Sequence, residues 1–518
     1  MTPNAGKLYV ALIVSVLLSC VAAWLIARLY RRRMQQLMRA THGEESAAPA
    51  AATAPDVPLP LPVSLADNHH AGIRLILLLI ALSCLMAVTS ASIWYALRFP
   101  GEPLLPRRVA VMAMLHLWPM IPALALIWRW SRTRLFGTLL LWGGAFFVVA
   151  LWRSIEPRPL GLLMLMASEC GLSLPLVLLV FLGNATRAIA PWLLMPVAVL
   201  VFSALAGLDT LTYMAQRESP LLKSLIAPLE GLPGWSGVYV VFALFVLLSS
   251  IIVWWPVRML GRALGRAYSR KWLSDLLVVF TGVWAFALTD RALTLFTTAG
   301  TEAFAMYLPL LWTPAVMLLA RRGRRPGRAP TLLVLRVFQR DKQARSLFDH
   351  VIERWRLSGN TVMIAGTDLA DRTLDAADIF QFLDRRLAER FVVSPADVAR
   401  RGAAFDMAAD IDGRYRINEC YCHDTTWQDA LQALLRYSDV VLMDLRGFQT
   451  HNAGCRYELT TLAQASREVR VVALTDSLTD RAAAQEAIAS GRQERFTWIE
   501  ASHFKPSKHR EVLAHLFA

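Results

Sequence analysis

Across the first 320 residues, apolar side chains run in long unbroken blocks separated by short basic segments. Beyond residue 330 the blocks shorten and alternate with amphipathic stretches. A hydrocarbon core about 30 Å thick takes about 20 apolar residues of helix, because lipid offers no partner to a free backbone group. Nine blocks reach that length: Leu8–Ala27, Leu75–Leu97, Val109–Trp128, Leu135–Trp152, Leu160–Leu182, Ala188–Gly207, Val238–Val257, Trp272–Leu288 and Phe304–Ala320. In the first, the basic cluster of Arg28, Arg31, Arg32 and Arg33 follows the apolar stretch, with Lys7 alone before it, which predicts an anchor and not a cleaved signal.

The second half predicts strands and helices in alternation, the pattern of β-α-β units around a parallel sheet. Strands are expected at 331–338, 361–366, 414–422, 439–445, 469–474 and 495–500. A helix capped by Asp341, with an apolar face from Ala344 to Trp355, is expected first, then helices over 378–388, 426–436, 454–464, 479–490 and 508–517, with 391–412 irregular. Thr426 and Asp429 stand at capping-box spacing. The predicted fold class is a polytopic α-helical membrane region of about nine spans followed by an α/β doubly wound, flavodoxin-like domain. The expected divisions are an anchor with a basic flank (1–39), an Ala/Pro-rich linker (40–70), transmembrane helices (71–320), a basic linker (321–330) and the α/β domain (331–518). Ala/Pro bias favours extended geometry, so 40–70 reads as a tether.

Composition sharpens this picture. Apolar residues make up 56% of the chain and charged residues 18%, outside the range of an ordinary soluble enzyme. The net charge is +15, and all of the surplus lies before residue 329, since 329–518 holds 25 Lys and Arg against 26 Asp and Glu. Basic loops between spans account for that distribution, and a nucleic-acid-binding face does not. With the N-terminus outside, the inner segments carry 20 Lys and Arg against 9 in the outer ones. This bias predicts a multi-pass protein of the inner (plasma) membrane whose α/β domain is cytoplasmic.

Some side chains raise chemical questions. Glu169 and His116 fall inside expected spans, where an ionisable group is costly and marks either a ligand or proton site or a hydrogen bond to a neighbouring helix. Cys420, Cys422, His423, His451 and Cys455 lack zinc-site spacing, and strand alternation puts Cys420 and Cys422 on one core-facing side. In a doubly wound sheet the ligand crevice lies beyond the carboxyl ends of the strands. Two such ends carry polar residues, Phe338-Gln339-Arg340-Asp341 and Asp444-Leu445-Arg446-Gly447-Phe448. The second leads to Tyr457-Glu458-Leu459 at a helix start, where the dipole favours an anion.

The segment SDVVLMDLRGFQTHNAGCRYEL (438–459) resembles the central motif of Toll/interleukin-receptor (TIR) domains, a strand, a polar loop and a Cys-x-x-Glu-Leu helix start, matched by Cys455, Glu458 and Leu459. It is also similar to the strand–Asp-Leu-x-Gly–loop–Tyr-Glu-Leu pattern of TIR-like nucleotide-binding proteins and nucleoside deoxyribosyltransferases. VFQRDKQARSLFDHVIERW (337–355) resembles the opening strand and first helix of TIR domains. The resemblance covers about 329–518 and implies chemistry at an N-glycosidic bond, with NAD or a related nucleotide as substrate, no resident cofactor, and self-association through the domain. It implies Glu458 as the catalytic carboxylate beside an oxocarbenium-like C1′. Arg340 and Arg446 would meet a pyrophosphate, Phe338, Phe448 or Tyr457 would stack on a base, and Asp444 and Gly447 would shape the crevice. The chain departs from the family in the stretch 361–413, in Gly454 where a Trp often stands, and in the loop RGFQTHNA. Three readings stay open: an NAD(+) nucleosidase, a nucleotide-sensing or self-associating signalling module without turnover, and a transporter or channel with a regulatory α/β domain.

Overall fold

The computed structural model describes residues 3–39, 58–153, 159–170, 177, 179–180, 184–229, 236–321, 327–336, 346–365, 376–383, 385–392, 395–423, 426–502 and 506–518. The chain divides into two compact units, one of Met1–Ala27 with Ile80–Val316, the other of Arg28–Leu79 with Met317–Ala518.

The first unit is helical. Its helices are α1 (Pro3–Arg39), α2 (Leu65–Arg98), α3 (Pro106–His116), α4 (Met120–Ile127), α5 (Arg132–Arg153), α6 (Pro159–Cys170), α7 (Asn184–Gln216), α8 (Pro220–Ile226), α9 (Ser236–Ser269), α10 (Asp275–Ala299) and α11 (Trp312–Arg321). Helices α1, α2 and α11 each have residues in both units. Among the described residues, 8 helices are long and apolar enough to cross a membrane. They coincide with eight of the nine expected spans. The remaining one, Leu160–Leu182, begins in the 12-residue α6 and continues into residues that mostly lie outside the described ones. Helix α7 packs closely on α9 through small residues. The Ser203 hydroxyl donates to the Ser249 carbonyl at 2.8 Å, and a Cβ on Gly207 would meet the Phe245 carbonyl at 2.8 Å. Small residues at such contacts let helix backbones approach where no water-driven collapse operates.

The second unit holds a seven-stranded sheet, all parallel, in the order β3-β4-β2-β1-β5-β6-β7. The strands are β1 (Thr331–Arg336), β2 (Asn360–Ala365), β3 (Phe391–Val392), β4 (Ile417–Cys422), β5 (Val440–Asp444), β6 (Arg470–Thr475) and β7 (Phe496–Glu500). Its helices are α12 (a π-type turn Phe348–Ile352 running into Glu353–Trp355), α13 (Ala376–Leu383), α14 (Pro395–Ala403), α15 (Trp427–Tyr437), α16 (Ala453–Gln464), α17 (Arg481–Ile488) and α18 (Pro506–Leu516). Alternate side chains of each strand enter opposite cores. Leu333, Leu335, Val441 and Met443 pack with α15, α16 and α17, whereas Leu332, Val334, Val440 and Leu442 pack with α12 and α18. Both faces are therefore covered, which is why the central strands read as unbroken apolar runs.

Three expectations change. The stretch 391–412 contains β3 and α14, which place an edge strand beside β4. Thr426 makes no capping box, because its hydroxyl donates to the Val392 carbonyl at 2.8 Å and so ties α15 to that edge strand. The expected tether (40–70) gives way to ordered structure before its end. Ser64 and Asp67 form a reciprocal cap on α2, and the buried Asn68 donates to the Arg354 carbonyl at 2.7 Å and to Ser358 at 2.8 Å. Residues 40–57 lie outside the described ones.

Candidate functional site

The sheet reverses direction of winding between β1 and β5, and these strands end side by side, with Arg336 opposite Asp444 in the register. That switch point is where open α/β sheets leave a crevice. The loop after β5 is built by its own sequence. Gly447 takes φ +76°, a left-handed conformation that a side chain would strain, and its amide donates to Asp476 Oδ1 at 2.9 Å. Asp476 follows β6, so the two loops are tied together. Thr450 donates to Asp480 at 2.7 Å, and Asp480 in turn caps α17. Phe448 is fully buried in the core against α16 and anchors the loop, which leaves no ring face for a base.

Helix α16 then carries Cys455, Glu458, Leu459 and Leu462 inward. Glu458 is in the second turn of the helix, not the first, so the expected dipole-stabilised anion does not apply. Its residue exposure is 6%, and Oε2 finds no hydrogen-bond partner among the described residues. Burial pushes the Glu458 carboxyl up to about 8, so it is mostly protonated at neutral pH. Burial, helped by the nearby Glu458 and Asp444 carboxyls, pushes the Cys455 thiol up to about 12. Both acidic groups therefore neighbour one thiol. Asp444 is held by Arg446, whose Nε and Nη2 reach its two oxygens at 2.7 Å and 2.6 Å. Tyr457 stands half-buried on the shoulder of α16, edge-on to Trp427 at 5.3 Å, with its hydroxyl accepting from Gln432 at 3.2 Å.

Of the expected site residues, Asp444, Arg446 and Gly447 come together at the end of β5, Phe448 is buried in the core after them, and Glu458 on α16 has Cys455 as a neighbour in common with Asp444, with Tyr457 half-buried on the same helix. Phe338 and Arg340 lie outside the described residues. The sequence reading missed a histidine pair on the opposite face. His350 and His509 stack with ring centroids 4.4 Å apart, and Ser346 Oγ is 3.3 Å from His509 Nε2. Burial first, then His350 and Arg446, push His509 down to about 4, which puts this pair close to the same loop. The signal was faint, since two histidines 159 positions apart share no motif.

Cys420 and Cys422 sit in the core with sulfurs 3.6 Å apart, on the side that strand alternation predicts. Among the described residues, no group of three or more His, Cys, Asp or Glu side chains is placed to hold a metal ion. In the helical unit, His116 lies at the end of α3, where the chain breaks before α4, and its Nδ1 is 2.8 Å from the Ser90 hydroxyl. Asp290 and Arg291, absent from the sequence-based candidates, are buried at 1% exposure, and Arg291 reaches the His116 carbonyl at 3.5 Å. The Glu169 side chain lies outside what is described.

No protein-family model, no curated protein and no solved structure matches this chain.

Proposed function

We propose that the α/β domain binds a nucleotide such as NAD at the β1/β5 switch point and acts on its N-glycosidic bond, with Glu458 as the reacting carboxyl. The observation that carries this reading is a buried carboxyl at about 8, whose Oε2 finds no partner among the described residues, on the helix that follows the strand end where parallel sheets bind ligands. A protonated Glu458 donates to a leaving base or its carbonyl. The C1′–N bond breaks with its electron pair leaving on the base, which takes the Glu458 proton; the carboxylate so formed stabilises the positive charge on C1′, and a water molecule adds there and returns a proton to Glu458. The strand order supports the choice of fold family. The series β2-β1-β5-β6-β7 is the flavodoxin-type order, with β4 and β3 added outside β2. In this reading the domain is cytoplasmic, anchored by a multi-pass region of the plasma membrane, and it self-associates to act in signalling or defence.

A second reading is favoured by one observation. Arg446 is committed to Asp444, and Glu458 is enclosed, the arrangement of a domain that senses a nucleotide and turns over only after opening, or not at all. The two readings part in one experiment. The full chain in nanodiscs, clustered or not, is incubated with NAD, and free nicotinamide is followed by chromatography. Release that is lost in Glu458→Gln supports the enzyme; binding without release, unchanged in Glu458→Gln, supports the sensor.

A further inference from the structure

Helix α9 is 34 residues long, about 50 Å, well beyond what a hydrocarbon core requires. Its first 20 or so residues after Gly237 are apolar and end at Val257, just past Pro256. From there Arg258, Arg262, Arg266 and Arg270 follow at intervals of four, which places them in one line along the helix surface. The helix proper ends at Ser269, but the Arg270 amide still donates to the Arg266 carbonyl at 3.0 Å, so Arg270 continues the line. All four are exposed, and among the described residues Arg258, Arg262 and Arg266 have no acidic partner. Like charges four apart on a helix repel, so the line is unfavourable until an anion covers it.

The opposite side of the same segment packs against α7. Tyr268 is buried, and its ring lies edge-on to Trp192 of α7 at 5.4 Å. Ser203 meets Ser249 and Gly207 meets Phe245, so α7 and α9 run antiparallel, and residues 258–266 of α9 pass alongside the stretch of α7 between Trp192 and Ser203. That stretch of α7 is apolar and belongs to its candidate span Ala188–Gln216. The arginines therefore leave the helix at the level where a neighbouring helix is still lipid-like, not in open water. Exposed Trp254 and Trp255 before the line, and Trp272 beneath the Arg270 guanidinium at 5.7 Å, are the aromatic residues favoured at a membrane interface. A long arginine stem in apolar surroundings carries its head outward to the phosphates.

We propose that Arg258, Arg262, Arg266 and Arg270 form a binding site for the phosphodiester headgroups of anionic lipids, along the outer edge of α9. Guanidinium suits phosphate because its fork makes two parallel hydrogen bonds. The packing of this segment along the apolar part of α7, together with the exposed Trp254, Trp255 and Trp272, favours a lipid over a soluble acidic protein, which would need the line to stand clear of the bilayer. The inference concerns the helical unit alone and is independent of what Glu458 does.

The test is lipid selectivity of the full chain. Protein in mixed micelles of phosphatidylcholine with a minority of phosphatidylglycerol is purified, and the lipid it retains is quantified by mass spectrometry. Wild-type protein is expected to hold phosphatidylglycerol about fivefold or more above its share of the mixture, since one arginine near a membrane surface supplies roughly that factor. The enrichment should fall toward the bulk ratio in R258Q/R262Q/R266Q/R270Q, persist largely in the matching four-lysine variant, and shrink at high salt. Soluble glycerophosphoglycerol should not displace the lipid. No enrichment in the wild type, or full enrichment in the four-glutamine variant, overturns the proposal. Should that variant not be recovered folded, the salt dependence of the wild type and the single variant Arg262→Gln decide the matter.

Discussion

Asp444 and Arg446, two residues apart, close a two-pronged ion pair at the end of β5, with Nε to Oδ1 at 2.7 Å and Nη2 to Oδ2 at 2.6 Å. The Arg446 side chain is only 1% exposed, so the pair is a buried structural clasp on the loop that carries Gly447 and Phe448. Removing one partner of such a pair leaves a charge without compensation. Arg446→Met should lower the stability of the domain by about 3 kcal/mol, and Asp444→Asn together with Arg446→Met should recover most of it. Protease protection of the α/β domain against denaturant measures both. Equal losses in the single and double variants would show that the pair is not the cause.

The buried carboxyl of Glu458 links stability to pH. In the unfolded chain a glutamate ionises near its ordinary 4.5, whereas burial holds Glu458 protonated in the fold up to about 8. Between those values the folded state binds more protons than the unfolded one, so stability falls as pH rises from about 4.5 to about 8 and is level below that window. The loss is on the order of 4 kcal/mol by the upper end. Glu458→Gln keeps the shape without the charge, so it should melt like the wild type near pH 4 and at a higher temperature near pH 8. Thermal midpoints at several pH values test this. A variant with the same pH slope as the wild type would remove Glu458 as the source.

Gly207 tests the helical unit. Any side chain there meets the Phe245 carbonyl and Ser249 on α9 at 3.0 Å or less. Gly207→Leu should push α7 from α9 and cost about 3 kcal/mol, read as a lower thermal midpoint of the full chain in detergent, while Gly261→Leu, at a glycine with open space around it, should change little. Similar shifts in both would place the cost in the residue type and not in the contact.

How far the sequence reaches depends on which physical signal a residue carries. Strands β1, β5 and β6 were legible because a strand buried on both faces must be apolar throughout, and Leu332–Leu335, Val440–Met443 and Val471–Leu474 are. Strand β3 was not, because two residues, Phe391 and Val392, carry no period. Helix α14 carries only one local signal, Pro395 at its first position. Apolar runs located the membrane helices but cut α10 short at Leu288, since Asp290 and Arg291 break the run while lying buried among other helices. Hydropathy reports composition, not what surrounds a side chain. The same limit applies to Glu458. Its place on a helix after β5 was readable, but its second-turn position and its burial, which together reverse the expected charge state, arise from packing against the sheet.

The central claim is that Glu458 reacts at an N-glycosidic bond, and the most direct measurement takes turnover and affinity from one preparation. Full-length wild type and Glu458→Gln, each in nanodiscs and forced to cluster, are titrated with NAD while nicotinamide release is followed. The prediction is binding of similar strength in both, with release at least a hundredfold slower in the variant, the loss typical of removing a group that acts in the transition state. Undiminished release by Glu458→Gln, or no release by either protein under any clustering, would contradict it.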